Sequence, residues 1–392
     1  MRTLIELYDE RPLENVLSTQ VFDPERTVYL CSREVCDSAT KKEALRRYLK
    51  LKGCRAELTF VPADMFSARD VERALREVIG RYEGCVIDVS GGTDAALFAS
   101  GLISAVQHTP AFTYSRRANR FFSIVDAPFG EEKACDVRLS VEDCFIMAGG
   151  AVKQGRVDNA ILGRYLGFFK PFFDLYMRFK HDWISIVTYI QRASAPKDGE
   201  ITAEVDAPYY VKGDRGSVAA NEQALEALRR IGFIKDVHIE TGLRVHFRFR
   251  DLQVRAWLRD VGSVLETYVY KACLDTHLFD DVCTSVVVDW EGDLKQSNVT
   301  NELDVMATRG VMPVFISCKT GEIRTEAINE LAVLRDRFGS GIARAAIVSA
   351  SKCQLITRHR ADEMEIEIID GEDLKRGKLL ERLEALGRLA RP

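Results

Sequence analysis

NELDVMATRGVMPVFISCKTG, residues 301–321, is the stretch whose reading decides the C-terminal fold. Two apolar strands stand either side of a four-residue turn at 309–312. Side chains alternate along a strand, so Ser317 and Lys319 share a face and Cys318 points away. The turn sets Asp304 of the first strand opposite Ser317 of the second. A carboxylate, a hydroxyl and an ammonium therefore meet at one end of a hairpin.

The surroundings fit a mixed domain. VRAWLRDVGSVLETYVYKACLD (254–275) reads as one long amphipathic helix carrying Glu266. VCTSVVVDW (282–290) and ARAAIVSA (343–350) read as further strands, with RTEAINELAVLRDRF (324–338) as a helix before the last. In this α-β-β-β-α-β order, an Asp facing x-x-Lys resembles the PD-(D/E)XK nucleases, and Glu266 matches the additional helix acid of many members. The resemblance implies a catalytic set of Glu266, Asp304, Ser317 and Lys319, and metal positions at Glu266, Asp304 and Cys318. Mg²⁺ or Mn²⁺ is the implied cofactor, because hard cations take carboxylate oxygens. Lys319 would orient the attacking water or neutralise charge on the phosphorane. One position departs from the pattern: Ser317 stands where the family has its second acid. Glu302, Glu322 and Glu326 are the candidates to replace it.

Working outward to the N-terminus, TLIELY (3–8), TVYLCS (27–32), AELTFVPA (56–63) and GCVIDVS (84–90) read as strands separated by amphipathic helices. That alternation predicts a Rossmann-like parallel sheet with helices on both faces. Open α/β sheets bind ligands beyond the carboxyl ends of their strands. Three polar loops fall there: Asp9, Glu10, Arg11 and Asn15 after the first strand; Ser32 and Arg33 after the second; Ser90, Gly91, Gly92, Thr93 and Asp94 after the fourth. Glycine would let the backbone approach a ligand, and the first amides of the next helix favour a phosphate. A bulky side chain at Gly91 or Gly92 is expected to block binding without unfolding the chain. The turn is neither a P-loop nor a dinucleotide fingerprint.

Residues 1–150 are similar to the CRISPR-associated Rossmann-fold (CARF) sensor domain, in the polar loop after strand one, the Ser-Arg turn after strand two and the Ser-Gly-Gly-Thr turn after strand four. The resemblance implies a homodimer whose loops hold cyclic tetra- or hexa-adenylate across a two-fold axis.

Between these parts, GRYLGFFKPFFDLYMRFKHDWISIVTYIQRASA reads as helical with a dense aromatic face. NEQALEALRRIGFI (221–234) is a short helix, and HIETGLRVHFRF (238–249) a hairpin at Thr241–Gly242. This middle part, 151–255, looks winged-helix-like. Its run RVHFRFRDLQVRAWLR offers either phosphate contacts or a solvated face paired with acids. The linker is expected at APKDGEITAEVDAP (195–208). The nuclease-like part is 256–392.

The whole order resembles the ancillary nucleases of type III CRISPR defence that cyclic tetra-adenylate activates. That implies metal-dependent cleavage of DNA, with RNA as a second substrate. The competing reading is a cyclic-oligoadenylate-responsive DNA-binding regulator with an inactive nuclease fold. Composition bounds both. Net charge is −4 over 392 residues, and neither half is a basic block, so nucleic acid is not held by bulk charge. Ten cysteines without a Cys-x-x-Cys pair fit reduced core thiols in a cytoplasmic protein. No apolar run of membrane-spanning length occurs, and the acidic start argues against a secretory signal.

Overall fold

Strands β1 (Thr3–Leu7), β2 (Arg26–Cys31), β3 (Glu57–Pro62), β4 (Cys85–Asp88) and β5 (Ala111–Ser115) pair in parallel, and β6 (Arg120–Val125) and β7 (Glu132–Ala134) extend the sheet antiparallel. The computed structural model describes residues 1–153, 159–196, 200–214, 216–290, 292 and 300–388. The strand order is β3-β2-β1-β4-β5-β6-β7. Chain progression reverses between β1 and β4, so the loops leaving those strands lie side by side at the sheet's carboxyl edge. The helices form as their spacing predicts. In Ala68–Arg81, Val71, Ala74, Leu75 and Val78 are buried, and the Ser67 hydroxyl accepts the Asp70 N–H to start the helix.

The C-terminal sheet contains β14 (Asp281–Asp289), β15 (Thr300–Arg309), β16 (Met312–Lys319), β17 (Arg344–Ser349) and β18 (Ile366–Ile369), in the order β18-β17-β16-β15-β14-β8. Its last member, β8 (Ala151–Val152), pairs Val152 with Val288 and Ala151 with Asp289. The 151–255 span thus opens inside the C-terminal sheet. The middle part has a three-stranded sheet of β9 (Glu204–Pro208), β12 (Ile234–Glu240) and β13 (Arg244–Phe249), with a small hairpin of β10 (Tyr210–Gly213) and β11 (Gly216–Ala219). The helix Glu222–Arg230 leads into the β12–β13 hairpin. The span 195–208 is more than a linker: it ends in β9, and its residues 197–199 lie outside the described residues.

The C-terminal sheet lies between the other two parts. On one face Ile316, Cys318 and Val305 join Phe169, Phe172, Trp183 and Trp257 of the middle helices. On the other, Phe315 and Met306 join Phe145, Phe338 and the N-terminal Leu13, Tyr29 and Phe112. The long helix expected over 254–275 is two helices, Leu252–Leu258 and Ser263–Asp275. Asp260 breaks it by accepting the Ser263 N–H (2.6 Å) and hydroxyl (2.7 Å), a side-chain alternative to helical pairing. Among the described residues, no helix is long and apolar enough to cross a membrane.

Candidate functional site

The β15–β16 turn pairs Arg309 with Met312, and the ladder continues to Val305 opposite Ile316. That register brings Asp304 level with Ser317. Asp304 Oδ2 accepts the Ser317 hydroxyl at 3.0 Å and the Cys318 N–H at 2.5 Å, and lies 3.6 Å from Lys319 Nζ. Glu266, on the first turn of Ser263–Asp275, completes the group. Burial pushes its carboxyl up to about 8, reinforced by Asp304, Asp260 and Glu302 and opposed by Lys319. Gly262 makes room for it: a Cβ there would lie 2.6 Å from Glu266 Oε1. Glu302 is also raised, first by burial and then by Asp304 and Asp260. Glu322 and Glu326 are exposed, so of the three substitute acids Glu302 is the one within the cluster's field.

At Cys318 the side chain is not the group that could meet a cation. Its thiol is buried in the apolar cluster with Cys273, and burial pushes it well above the ordinary range. A protonated buried thiol is no ligand for a hard cation. Its backbone N–H is the group that reaches Asp304. Among the described residues, no three His, Cys, Asp or Glu side chains are gathered closely enough to hold a metal ion. The acids share a field without forming a finished ligand set.

At the other site, the β1 and β4 loops are tied together. Asp9 accepts the Arg11 N–H and Nε through Oδ1, and the Arg11 NH2 and Gly92 N–H (2.9 Å) through Oδ2. Burial would raise its carboxyl, but these bonds outweigh it and leave it below its ordinary value. Asn15 closes the loop with two bonds to the Asp9 backbone, at 2.8 and 2.6 Å. Ser90 accepts the Tyr114 N–H and donates to Asp88; Thr93 caps Asp94–Gln107 and donates to the Met65 carbonyl. Ser32 caps Arg33–Asp37. The internal bonding of Asp9, Asn15, Ser90 and Thr93 shapes the loops, while Glu10, Arg33 and Asp94 are exposed at their rim.

Gly91 and Gly92 also act differently from expectation. A Cβ on Gly91 would lie 2.9 Å from Asp9 Cβ, and one on Gly92 would lie 2.8 Å from Leu7 Cβ. Gly92 has φ 97°, a region that favours glycine. Glycine here lets one loop pack on the other, so a bulky substitution disturbs the fold as well as any ligand.

Sequence reading missed three buried acids under these loops: Glu6, Glu14 and Asp88. Glu14 is ion-paired with Arg116, and burial still pushes it up to about 7. Arg11 and Arg116 both abut Gly341 of the C-terminal part: a Cβ there would lie 3.4 Å from Arg11 Cδ and 3.5 Å from an Arg116 guanidinium nitrogen. No local pattern carries such a contact; only the shared core creates it.

The middle arginines are largely occupied within the fold. Arg244 pairs with Asp206, Arg248 with Asp236 and Arg250 with Asp251. Arg255 and Arg259 donate to the Ser194 carbonyl, closing the end of Trp183–Ala193. Arg244, Arg248 and Arg250 thus pair with acids, as one of the two readings of this run expects.

Residues 251–388 match the family model of the Card1-like endonuclease domain. No curated protein matches the chain. Among solved structures, protein VC1899 of Vibrio cholerae aligns with a TM-score of 0.74 at 19% identity, covering 98% of this chain and 99% of that one. Can2 of Sulfobacillus thermosulfidooxidans, solved in complex with cyclic tetra-adenylate, aligns with a TM-score of 0.71 at 16% identity, covering 98% and 99%. At these identities the likeness is one of fold.

Proposed function

We propose, from the premise that residues 251–388 form a Card1-like endonuclease domain, that this chain is a type III CRISPR ancillary endonuclease switched on by cyclic tetra-adenylate. The observation that carries the reading is the Asp304 carboxylate, fixed by Ser317 and Cys318 with Lys319 and Glu266 beside it. The substrate is DNA, with RNA as a second substrate.

The donor chemistry fits a hard divalent cation. Asp304, Glu266 and Glu302 offer oxygens, and their mutual repulsion is what a cation would relieve. Mg²⁺ or Mn²⁺ bound there would supply Lewis acidity at the scissile phosphate. Ser317 and the Cys318 N–H hold Asp304 in place. Lys319 lies where it can orient water or meet charge developing on the phosphate. Glu266 must give up its proton before it can serve as a ligand.

The sensor reading rests on the adjoining β1 and β4 loops and on the fold shared with Can2. The exposed Arg33 and the rim of the Gly-Gly turn are the proposed contacts for the ring phosphates. The homodimer reading rests on an apolar stripe. Phe98, Leu102 and Val106, at four-residue spacing on Asp94–Gln107, are 64%, 45% and 66% exposed. The helix begins at the sensor turn, so pairing two copies along it brings two turns together around a two-fold ligand. Activator binding across that axis would draw the acids into a ligand set.

The test is cleavage of labelled DNA and RNA with Mn²⁺, with and without cyclic tetra-adenylate. Cutting should require both. Asp304→Asn should lose at least about a hundredfold in rate, the scale of removing one key electrostatic group, while activator binding survives. Full cutting by Asp304→Asn, or in EDTA, overturns the reading.

A further inference from the structure

The helices Leu166–Arg178 and Trp183–Ala193 and the turn joining them belong to the middle part, yet their facing ends touch the backbone on both sides of the endonuclease group. Tyr176 donates its hydroxyl to the Thr320 carbonyl at 3.2 Å, one residue after Lys319. Lys180 Nζ donates to the Ala350 carbonyl at 2.7 Å, and the Ala350 N–H donates to the Lys319 carbonyl at 2.9 Å. Trp183 Nε1 donates to the Val261 carbonyl at 3.3 Å, next to the Gly262 that makes room for Glu266.

We propose that this turn forms a wall of the endonuclease site, and that Lys180 binds a backbone phosphate of the nucleic-acid substrate flanking the scissile one. The proposal rests on the endonuclease reading above and deepens it. An ammonium has three donors, and Lys180 gives one to Ala350. Among the described residues, no carboxylate pairs with it. Burial and then the like charge of Lys375 push Lys180 below its ordinary value, which is the environment of a cation facing a second cation rather than an acid. Lys375 is exposed on the short helix that Gly371 begins. That helix packs on the same carbonyl: a Cβ on Gly371 would lie 2.3 Å from Ala350 O. Two lysines from different parts of the chain thus flank the strand end that carries Lys319. A bridging phosphate satisfies both.

The experiment uses the full chain with cyclic tetra-adenylate. Fluorescence anisotropy of labelled single- and double-stranded oligodeoxynucleotides is titrated in EDTA over a range of salt, with thermal melting alongside. Lys180→Gln should weaken binding about tenfold, the scale of one charge-assisted hydrogen bond. It should also flatten the salt slope by about 0.7 to 0.9. Lys180→Arg should restore most of both. Lys375→Gln, at an exposed position, should weaken binding in the same direction with Tm unchanged. Wild-type binding and slope in both Gln variants overturn the phosphate role. Equal loss in Lys180→Gln and Lys180→Arg, with lowered Tm, assigns Lys180 to bracing alone and also overturns it. A wild type that binds and cuts nothing overturns the endonuclease reading first.

Discussion

Asp304 is oriented before any substrate arrives, because a hydroxyl and a backbone N–H already fix one of its oxygens. Ser317 therefore does more than stand in for a missing acid. Ser317→Glu would set a second carboxylate beside Asp304 and restore the family's acid. Melting with and without Mn²⁺ should show a lower Tm than wild type in EDTA and a larger gain on adding the metal; equal gains would mean that Glu302 already completes the set. The buried acids of the N-terminal part allow a second prediction. Glu6 is raised well above its ordinary value, first by burial and then by Asp88 and Glu14, and its Oε1 has no hydrogen-bond partner. A raised carboxyl keeps its proton in the folded state after the unfolded chain has released it. Its cost to stability is absent below about pH 4.5 and grows as pH rises through the folded value. Glu6→Gln should therefore raise Tm by about 2 °C or more at pH 8, with the gain shrinking toward pH 5. Strand alternation made the Asp304–Ser317 meeting legible. Glu6 sits in an apolar strand, where nothing in the sequence shows that Asp88 and Glu14 converge on it.

Among the elements, those with a single strong period were legible: the helix Ala68–Arg81 and the hairpin of β15 and β16 sit where their spacing puts them. The long helix was misread because its hydrophobic period runs through the break at Asp260. The cap signal, Asp260 followed by Gly262 and Ser263, was present in the sequence and outweighs periodicity once the side chain accepts the Ser263 N–H. The glycine turn was placed correctly between strand and helix, but its reason lies in Leu7 and Asp9, which only the β1–β4 adjacency brings near. Gly92→Ala should accordingly cost about 1–3 kcal/mol of stability, read as a lower Tm without activator. Arg33→Ala is the cleaner probe of ligand binding: Tm unchanged, and cyclic tetra-adenylate affinity down about tenfold or more by calorimetry. Unchanged affinity would move the proposed phosphate contact off the β2 loop.

For the molecule as a whole, the proposed paired state rests on one helix face. Phe98→Asp combined with Leu102→Asp should yield a folded monomer by sedimentation and remove activator binding at the same time, since each copy would hold only half a ring. A variant that stays dimeric would place the two-fold elsewhere. Drawing the acids into a ligand set in 99% of molecules rather than about 1% would require roughly 5.5 kcal/mol of differential activator affinity; Arg11 and Arg116 beside Gly341 mark where the N-terminal loops meet the C-terminal part. The shared core has a practical consequence through β8, two residues that close the outer side of β14. A fragment beginning after residue 152 would leave Val288 and Asp289 on an uncovered strand edge, a template for sticking to other chains. Such a fragment should form insoluble assemblies on expression, whereas one that keeps the helix Val141–Met147 and β8 should stay dispersed. The C-terminal part cannot be cut free after β8 without opening its sheet: the last stitch is sewn ahead of the middle part.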